Sequence, residues 1–297
     1  MSLSLSEKTQ ERCIPPLMQF AAAALVVAAA TWNLSPVSPA ADFPAPQTIS
    51  VLPKPVSYRA SGEFLLNGMP VDGYLQEVRL TSPVQVMKYQ VLEQQYGQCV
   101  ADGACEMPEH PIDPRGNRPV TGVSFLDAEK YNAWLSEKTG DNWRLPTDRE
   151  WAALAGSKYA DDAAGGNQKA AGPAQRWINQ YEAESAKAGA PDPVVHASGF
   201  FGSNEYGLAD LSGNVWEWTS ACYTRSTLST DGSVISAIDN CGVRVAEGRH
   251  RAYMTEFIRD SKSGGCSVGA PPDHLGMRLV RREPGLLSWA WLRRFQH

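Results

Sequence analysis

The chain has 297 residues, of which 43% are hydrophobic and 20% are charged, and its formal net charge is −5 at pH 7. This composition is sufficient for one large hydrophobic core and excludes an intrinsically disordered chain. The mildly acidic charge also excludes the basic surface that nucleic-acid binding requires.

Residues 1–41 have the composition of an export signal. Lys8 and Arg12 precede an apolar run from Leu17 to Trp32, and small residues suitable for cleavage follow near Ala40. We therefore predict a signal peptide and a periplasmic or secreted protein. The alternative is an uncleaved anchor, through which the leader would contact the membrane.

Three further segments follow from composition. Residues 42–56 contain four prolines and are predicted to form an extended linker. Residues 57–283 then form the main domain, and residues 284–297 form a basic aromatic tail. The tail either covers an apolar patch of its own domain or lies on a membrane surface or a partner.

Hydrophobic spacing predicts two helices in the middle of the domain. Apolar residues fall on one face between Leu126 and Glu137, and Gly140 follows as a stop signal. Thr147 and Glu150 form a capping box that starts the second helix. A short helical piece is predicted at residues 176–186, and the rest of the domain is predicted to form short strands and turns.

Removal of the leader leaves five cysteines, which is an odd number in a compartment that permits disulfides. Cys99 and Cys105 enclose a turn-forming segment, which favours a local bridge. Cys222 and Cys241 are spaced to close a hairpin. Cys266 is then left over, as a reactive thiol, a soft-metal ligand or a buried thiol. The alternative is that all five are reduced and buried.

Residues 207–218 contain two carboxylates, Asp210 and Glu217, on either side of a Gly-Asn turn. Carboxylate oxygens together with main-chain carbonyls are the ligands that calcium prefers. The alternative is a core turn whose acidic residues only cap backbone amides.

This loop, the segment Arg144–Trp151 and the segment His274–Arg278 together resemble the formylglycine-generating enzyme family, also called the sulfatase-modifying-factor family. The resemblance implies an α+β C-type-lectin-like fold that is compact and largely irregular, with few regular strands and two to three helices. It also implies a structural calcium ion. The implied ligands are the side chains of Asp210 and Glu217 and the carbonyls of Gly213 and Val215.

The founding enzymes of the family bind copper(I) through two cysteines. The corresponding positions here are Thr255 and Asp260, neither of which offers a thiolate. A second branch binds iron through three histidines of an added domain, which has no counterpart in this chain. We therefore predict that the formylglycine mechanism is absent, and the sequence leaves open whether a redox metal, copper or iron, is bound.

The polar residues 248–260 correspond to the part of the family fold that lines the substrate groove. Arg249, Arg251 and Arg259 are predicted to bind an anionic or peptide ligand. Candidate catalytic residues are His250, Asp260 and Cys266. The alternative is a solvated network in which the arginines pair with neighbouring carboxylates.

Three functions are compatible with these observations. The chain most resembles accessory proteins of copper nitrite reductase, which predicts an accessory or maturation factor whose partner is an exported metalloenzyme or peptide. The second is a periplasmic oxidoreductase that acts on a small molecule or peptide, as in siderophore maturation. The third is a non-catalytic C-type-lectin-like binding module.

Overall fold

The computed structural model describes residues 46–161, 173–190, 192–262 and 271–282. All described residues belong to one unit of the chain, Ala45–His297. The predicted signal peptide, the tail 284–297 and Cys266 lie outside the described residues.

Four α-helices are present among the described residues: α1 Glu93–Ala101, α2 Phe125–Thr139, α3 Asp148–Ala155 and α4 Pro173–Ala188. A 3-10 turn, Gly156–Lys158, follows α3. The predictions of α2, α3 and the helical piece within α4 are confirmed. Among the described residues, no helix is both long and apolar enough to span a membrane.

Capping fixes the ends of α2 and α3. Ser124 Oγ accepts a hydrogen bond from the amide of Asp127 at 3.1 Å, and Gly140 ends α2 with φ 69°. The predicted box of Thr147 and Glu150 starts α3. The helix α1 was not predicted, because its N-cap is Leu92, which has no side-chain oxygen to signal a helix start.

The described residues form twelve strands, more than the few that the family resemblance implied, although the α+β class is confirmed. Their bounds are β1 Thr48–Val51, β2 Val56–Arg59, β3 Glu63–Leu66, β4 Met69–Val71, β5 Leu75–Val78, β6 Val84–Met87, β7 Trp143–Arg144, β8 Trp216–Leu228, β9 Val234–Glu247, β10 Ala252–Thr255, β11 Leu275–Gly276 and β12 Val280–Arg282. A four-stranded sheet has the order β1-β6-β12-β7, and a larger sheet has the order β10-β9-β8-β3-β4 with β11 beside β8. The strands β2 and β5 form a separate pair.

The predicted linker needs one correction. Residues 48–51 form β1, which pairs antiparallel with β6, and Val51 is buried in the core. The prolines flank this strand and leave its backbone amides available for pairing. The domain therefore begins before residue 57.

The helix α3 packs against two hydrophobic clusters of the core. Trp151 and Leu154 pack into one hydrophobic cluster with Val86 and Leu208, whereas Ala152 and Ala153 pack into a second with Tyr58 and Phe64. Burial of both faces explains why this short helix has an almost entirely apolar C-terminal half.

The strands β8 and β9 form one long hairpin, and residues 231–242 on its second half are exposed. Cys222 is bonded to Cys241 across this hairpin, and Cys99, in the last turn of α1, is bonded to Cys105. Both predicted disulfides are confirmed. The hairpin bridge ties its two strands together close to the body of the domain.

Candidate functional site

The loop between Gly207 and Trp216 has an unusual backbone. Asp210, Ser212 and Asn214 have φ angles of 59°, 56° and 64°, in the left-handed region that residues other than glycine seldom adopt. Alternation of left-handed residues with ordinary ones turns several carbonyl groups toward the interior of the loop. Such backbone strain is concentrated at functional and ligand-binding sites.

Three carbonyl oxygens of this loop and one carboxylate oxygen of Glu217, in β8, converge on the side-chain amide of Gln90. The Nε2 atom lies 3.4 Å from the carbonyl oxygen of Asp210, 3.2 Å from that of Gly213 and 3.4 Å from that of Val215. It also lies 2.9 Å from Glu217 Oε1. An amide nitrogen has only two hydrogens to donate. It can therefore satisfy two of the four acceptors around it, and the other two receive no hydrogen from this group.

Glu217 is held by three further donors. Arg278 Nη2 lies 2.9 Å from Oε1, Arg278 Nε lies 3.1 Å from Oε2, and Trp151 Nε1 donates to Oε2 at 2.8 Å. Arg278 also donates to the carbonyls of Met87, Lys88 and Ala209. This guanidinium therefore compensates the buried charge of Glu217 and ties the loop to β6.

The carboxylate of Asp210 is turned away from this cluster. Its oxygens accept hydrogen bonds from the amide of Gly199 at 2.5 Å and from that of Phe201 at 2.9 Å. Asp210 thus contributes its main-chain carbonyl to the convergent oxygens, and its side chain fixes the preceding turn. This is the amide-capping role that the alternative interpretation of the loop assigned to its acidic residues.

The convergent oxygens fit a hard cation in their chemistry, since three carbonyls and one carboxylate oxygen face one point. The buried Oε1 atom of Gln90 has no hydrogen-bond partner, and rotation of the amide would add it to this set. The residues that would hold calcium are therefore Asp210 through its carbonyl, Gly213, Val215, Glu217 and Gln90. Bound calcium would cross-link the loop to the chain segment after β6.

The predicted ligand-binding arginines are occupied by internal contacts. Arg251 is buried, and its Nε donates to Glu247 Oε1 at 2.8 Å. Arg259 binds both carboxylate oxygens of Asp127 at 2.7 Å. Arg251 thus pairs within the β9–β10 turn, while Arg259 clamps the N-terminus of α2, so the two are not directed at one ligand.

Burial by itself would raise the pKa of Asp127, but the Arg259 guanidinium and the Ser124 donors lower it below its usual value. The ionised carboxylate is thereby stabilised in the folded protein. The contact is structural, as the alternative network predicted.

Within the described residues, the predicted acid-base groups His250 and Asp260 make internal contacts. His250 is buried, its Nδ1 lies 2.9 Å from the carbonyl oxygen of Arg251, and its Nε2 is buried without a partner. Asp260 accepts the amide of Lys262 at 2.9 Å. Arg249 is half-buried, and Cys266 lies outside the described residues.

One titratable group, His196, lies beside the strained loop and was not predicted as a site residue from the sequence. His196 Nε2 lies 2.9 Å from Asp192 Oδ2, and the His196 ring stacks on Phe200 with centroids 4.0 Å apart. Asn214 binds the backbone of His196 in both directions, so the pair is fixed to the loop. Burial lowers the pKa of His274, whose Nε2 lies 2.9 Å from the carbonyl oxygen of Asp192.

Thiolate chemistry requires a free cysteine. Cys99, Cys105, Cys222 and Cys241, the cysteines within the described ranges, all form disulfides. In the same ranges no group of three or more His, Cys, Asp or Glu side chains is placed to hold a metal ion. The convergent loop differs from such a group because main-chain carbonyls provide most of its oxygens.

An α+β domain with a strained Gly-Asn loop and a buried Arg–Glu pair behind it defines the formylglycine-generating-enzyme class of fold. The chain belongs to the sulfatase-modifying factor enzyme 1-like domain family, whose pattern matches residues 35–283. The family prediction from the sequence is confirmed.

Individual relatives agree with this assignment. The chain is 30% identical over 173 residues to the inactive C-alpha-formylglycine-generating enzyme 2 of Bos taurus. The aligned residues cover 57% of this chain and 53% of the relative. It is 35% identical over 128 residues to the formylglycine-generating enzyme of Mycobacterium tuberculosis, which covers 39% of each. The chain thus spans about half, or less, of these curated relatives.

A solved structure shows the same fold. PvdO from Pseudomonas aeruginosa superposes with a TM-score of 0.50 and 19% identity, over 80% of this chain and 95% of that one. At this level of identity the likeness concerns the fold alone.

Proposed function

We propose that this chain is an exported member of the family that does not generate formylglycine, and that it acts as an accessory or maturation factor for an exported metalloenzyme of the copper nitrite reductase type. The observation that carries the proposal is the internal pairing of the residues in the groove region. Arg251 pairs with Glu247, Arg259 pairs with Asp127, and His250 is buried.

Internal pairing opposes catalysis for an energetic reason. A buried arginine that leaves its carboxylate to bind substrate would strand an unpaired charge, which costs about 3–5 kcal/mol. A histidine that is 1% exposed cannot reach a substrate proton without a rearrangement. A groove region with these internal contacts is suited to presenting a rigid binding surface and poorly suited to catalytic turnover.

The cysteines support the same direction. The positions that correspond to the copper ligands are Thr255 and Asp260, and the four cysteines of the described ranges are in disulfides. One of the relatives with 30% identity, from Bos taurus, is named an inactive enzyme, whereas the relative from Mycobacterium tuberculosis with 35% identity is named a formylglycine-generating enzyme. The disulfides are also compatible with an oxidising compartment, which accords with an exported protein.

The experiment compares chemistry with partner maturation. Residues 42–297 are purified from the periplasm, loaded with copper(I) and incubated in air with a cysteine-containing sulfatase peptide, beside an active formylglycine-generating enzyme. We expect no formylglycine by mass spectrometry. Copper nitrite reductase is then produced with and without the chain, and its copper content is measured.

Higher copper content of the reductase in the presence of the chain supports the proposal. Formylglycine formation by the chain, or equal copper content of the reductase in both cultures, overturns it. The Arg251→Ala and Glu247→Ala variants, each compared with the wild type, test whether the paired groove residues only maintain the fold.

A further inference from the structure

A second site lies on the other side of α3 from the strained loop. It is a cavity of about 360 Å³ between the segment 58–74, the first turn of α3 and the β8–β9 hairpin. None of the predicted catalytic, ligand-binding or metal-binding residues lines it, although the predicted disulfide cysteine Cys222 does. Its lining includes Tyr58, Ser61, Phe64, Tyr74, Asp148, Arg149, Thr224 and Asp239.

The floor of the cavity is polar and fully organised. Ser61 Oγ donates to Asp148 Oδ2 at 2.6 Å, and the hydroxyl of Tyr58 donates to the same oxygen. Burial raises the pKa of Tyr58 far above its usual value, so its hydroxyl keeps its proton and remains a donor. Asp148 therefore presents a fixed carboxylate in the first turn of α3.

The walls of the cavity are aromatic. Phe64 is buried, and its ring meets that of Tyr74 edge to face with centroids 5.5 Å apart. Tyr74 is 43% exposed and stands at the mouth. Aromatic rings beside carboxylates attract a desolvated cation, because the faces of the rings are negative.

The charges of the lining favour the same ligand. Asp148 and Asp239 contribute two carboxylates, whereas Arg149 contributes one guanidinium. Asp239 is oriented by Thr224 Oγ1, which donates to its Oδ1 at 2.7 Å. The nearby cation of Arg251 lies 5.2 Å from the Tyr58 ring centroid, but Glu247 neutralises it.

The cavity is also pre-formed. A Cβ atom at Gly62 would lie 2.1 Å from the carbonyl oxygen of Thr224, so only glycine lets this segment approach β8 so closely. The disulfide from Cys222 to Cys241 fixes the opposite wall. Because the walls are fixed before binding, little ordering cost remains for a ligand.

We infer that this cavity binds a lysine-type primary ammonium group on an aliphatic stem, presented by a peptide segment of a partner, with Asp148 and Asp239 facing the charge and Phe64 and Tyr74 around the stem. The inference does not depend on the proposed accessory role, because it follows from the cavity alone. Arg149 is the competing cation at the mouth.

The test uses Nα-acetyl-lysine methylamide as the probe and the norleucine analogue as its neutral control. Amide resonances of the chain (residues 42–297) are followed by NMR during titration. We expect saturable shifts at Ser61, Gly62, Thr224 and Asp239 with the lysine probe, with a Kd of about 1 mM for so small a ligand. The distant Gly103 should not shift.

Two variants give opposite signs. Asp239 is exposed, so Asp239→Asn leaves the fold intact and should weaken binding about fivefold, as the loss of one partly solvated charge does. Arg149→Gln should strengthen binding about twofold to fivefold. Asp231→Asn, on the same hairpin but outside the cavity, changes the net charge equally and should leave the Kd unchanged.

Equal shifts with the norleucine analogue would show an apolar pocket without charge selection and would overturn the inference. Absence of shifts with the lysine probe, or the same Kd for Asp239→Asn and wild type, would overturn it as well. Asp148→Asn would disturb a buried hydrogen-bond network. The inference is therefore tested by the Kd values of the variants at the exposed positions 149 and 239.

Discussion

The guanidinium of Arg278 and the carboxylate of Glu217 form a buried ion pair, with Nη2 and Oε1 2.9 Å apart and side chains that are 2% and 1% exposed. Both partners make further hydrogen bonds, so the pair is satisfied as well as neutral. Removal of either side chain would leave the other charged and buried.

The first prediction concerns this pair. Arg278→Ala should lower the free energy of unfolding by about 3–5 kcal/mol, because it strands the charge of Glu217 and removes three donors to main-chain carbonyls. Urea denaturation measures the change. The exposed pair of Arg79 and Glu77 is the control, since Arg79→Ala should cost about 0.5 kcal/mol or less. Similar losses for both variants would contradict the assigned role.

The second prediction concerns calcium and Gln90. If the four oxygens bind calcium, the ion should raise the Tm of the wild type. At a calcium concentration of one hundred times the Kd, the free energy of unfolding should increase by about 2.7 kcal/mol. Glu217→Gln should abolish this rise. Asp210→Asn should keep it, because Asp210 offers its carbonyl and not its carboxylate to the cluster.

Gln90→Glu sharpens the calcium test. In buffer that contains a chelator, this variant places a second carboxylate beside the four oxygens. Its free energy of unfolding should therefore fall by about 3 kcal/mol or more. Added calcium should restore most of that loss. If calcium leaves the Tm unchanged in both the wild type and Gln90→Glu, the loop is held by the side-chain amide of Gln90 alone.

The third prediction concerns acid. The folded pKa of Asp127 is below its unfolded value of about 3.9. The folded protein therefore binds the proton less readily, and the contribution to stability is present above pH 3.9 and is lost as the pH falls through the folded pKa. Unfolding free energies between pH 2.5 and 6 should show this loss in the wild type.

A matched variant isolates the Asp127 contribution. Asp127→Asn should be less stable at pH 6 and should lose less stability on acidification. Glu150, whose pKa Arg144 lowers against the effect of burial, remains in the variant as a source of residual acid dependence. Parallel curves for wild type and variant would refute the assignment.

The fourth prediction compares the disulfides. Replacement of Cys222 and Cys241 by alanine opens a loop of about twenty residues and should cost about 3 kcal/mol through chain entropy. Replacement of Cys99 and Cys105 opens a much shorter loop and should cost less. The free energies of unfolding of the two double variants are compared by urea denaturation. A larger cost for the shorter loop would point to native packing instead of chain entropy.

Local signals in the sequence predicted local structure well. The capping box at Thr147 and Glu150, the stop at Gly140 and the spacing of both disulfides were all readable, because each depends on neighbouring residues. The helix α1 was missed because Leu92 provides no capping oxygen, and β1 was missed because prolines surround it.

The arginines show where local information ended. Arg249, Arg251 and Arg259 lie within eleven residues of one another, and spacing alone did not separate a shared site from separate ion pairs. Only the fold brings Asp127, from a helix more than one hundred residues earlier, against Arg259. The same is true of Arg278, which reaches Glu217 across 61 positions.

The sequence by itself determined the family, the α+β class, the capped helices α2 and α3 and the two disulfides, because motifs, caps and short closures are properties of contiguous residues. The tertiary structure alone decided that Gln90 faces the strained loop, that Asp210 points its carboxylate elsewhere, and that Tyr58, Asp148 and Asp239 share a cavity. Those relationships join residues separated by tens to more than one hundred positions. Their distances are set by the packing of α3 between two hydrophobic clusters, which no local pattern encodes.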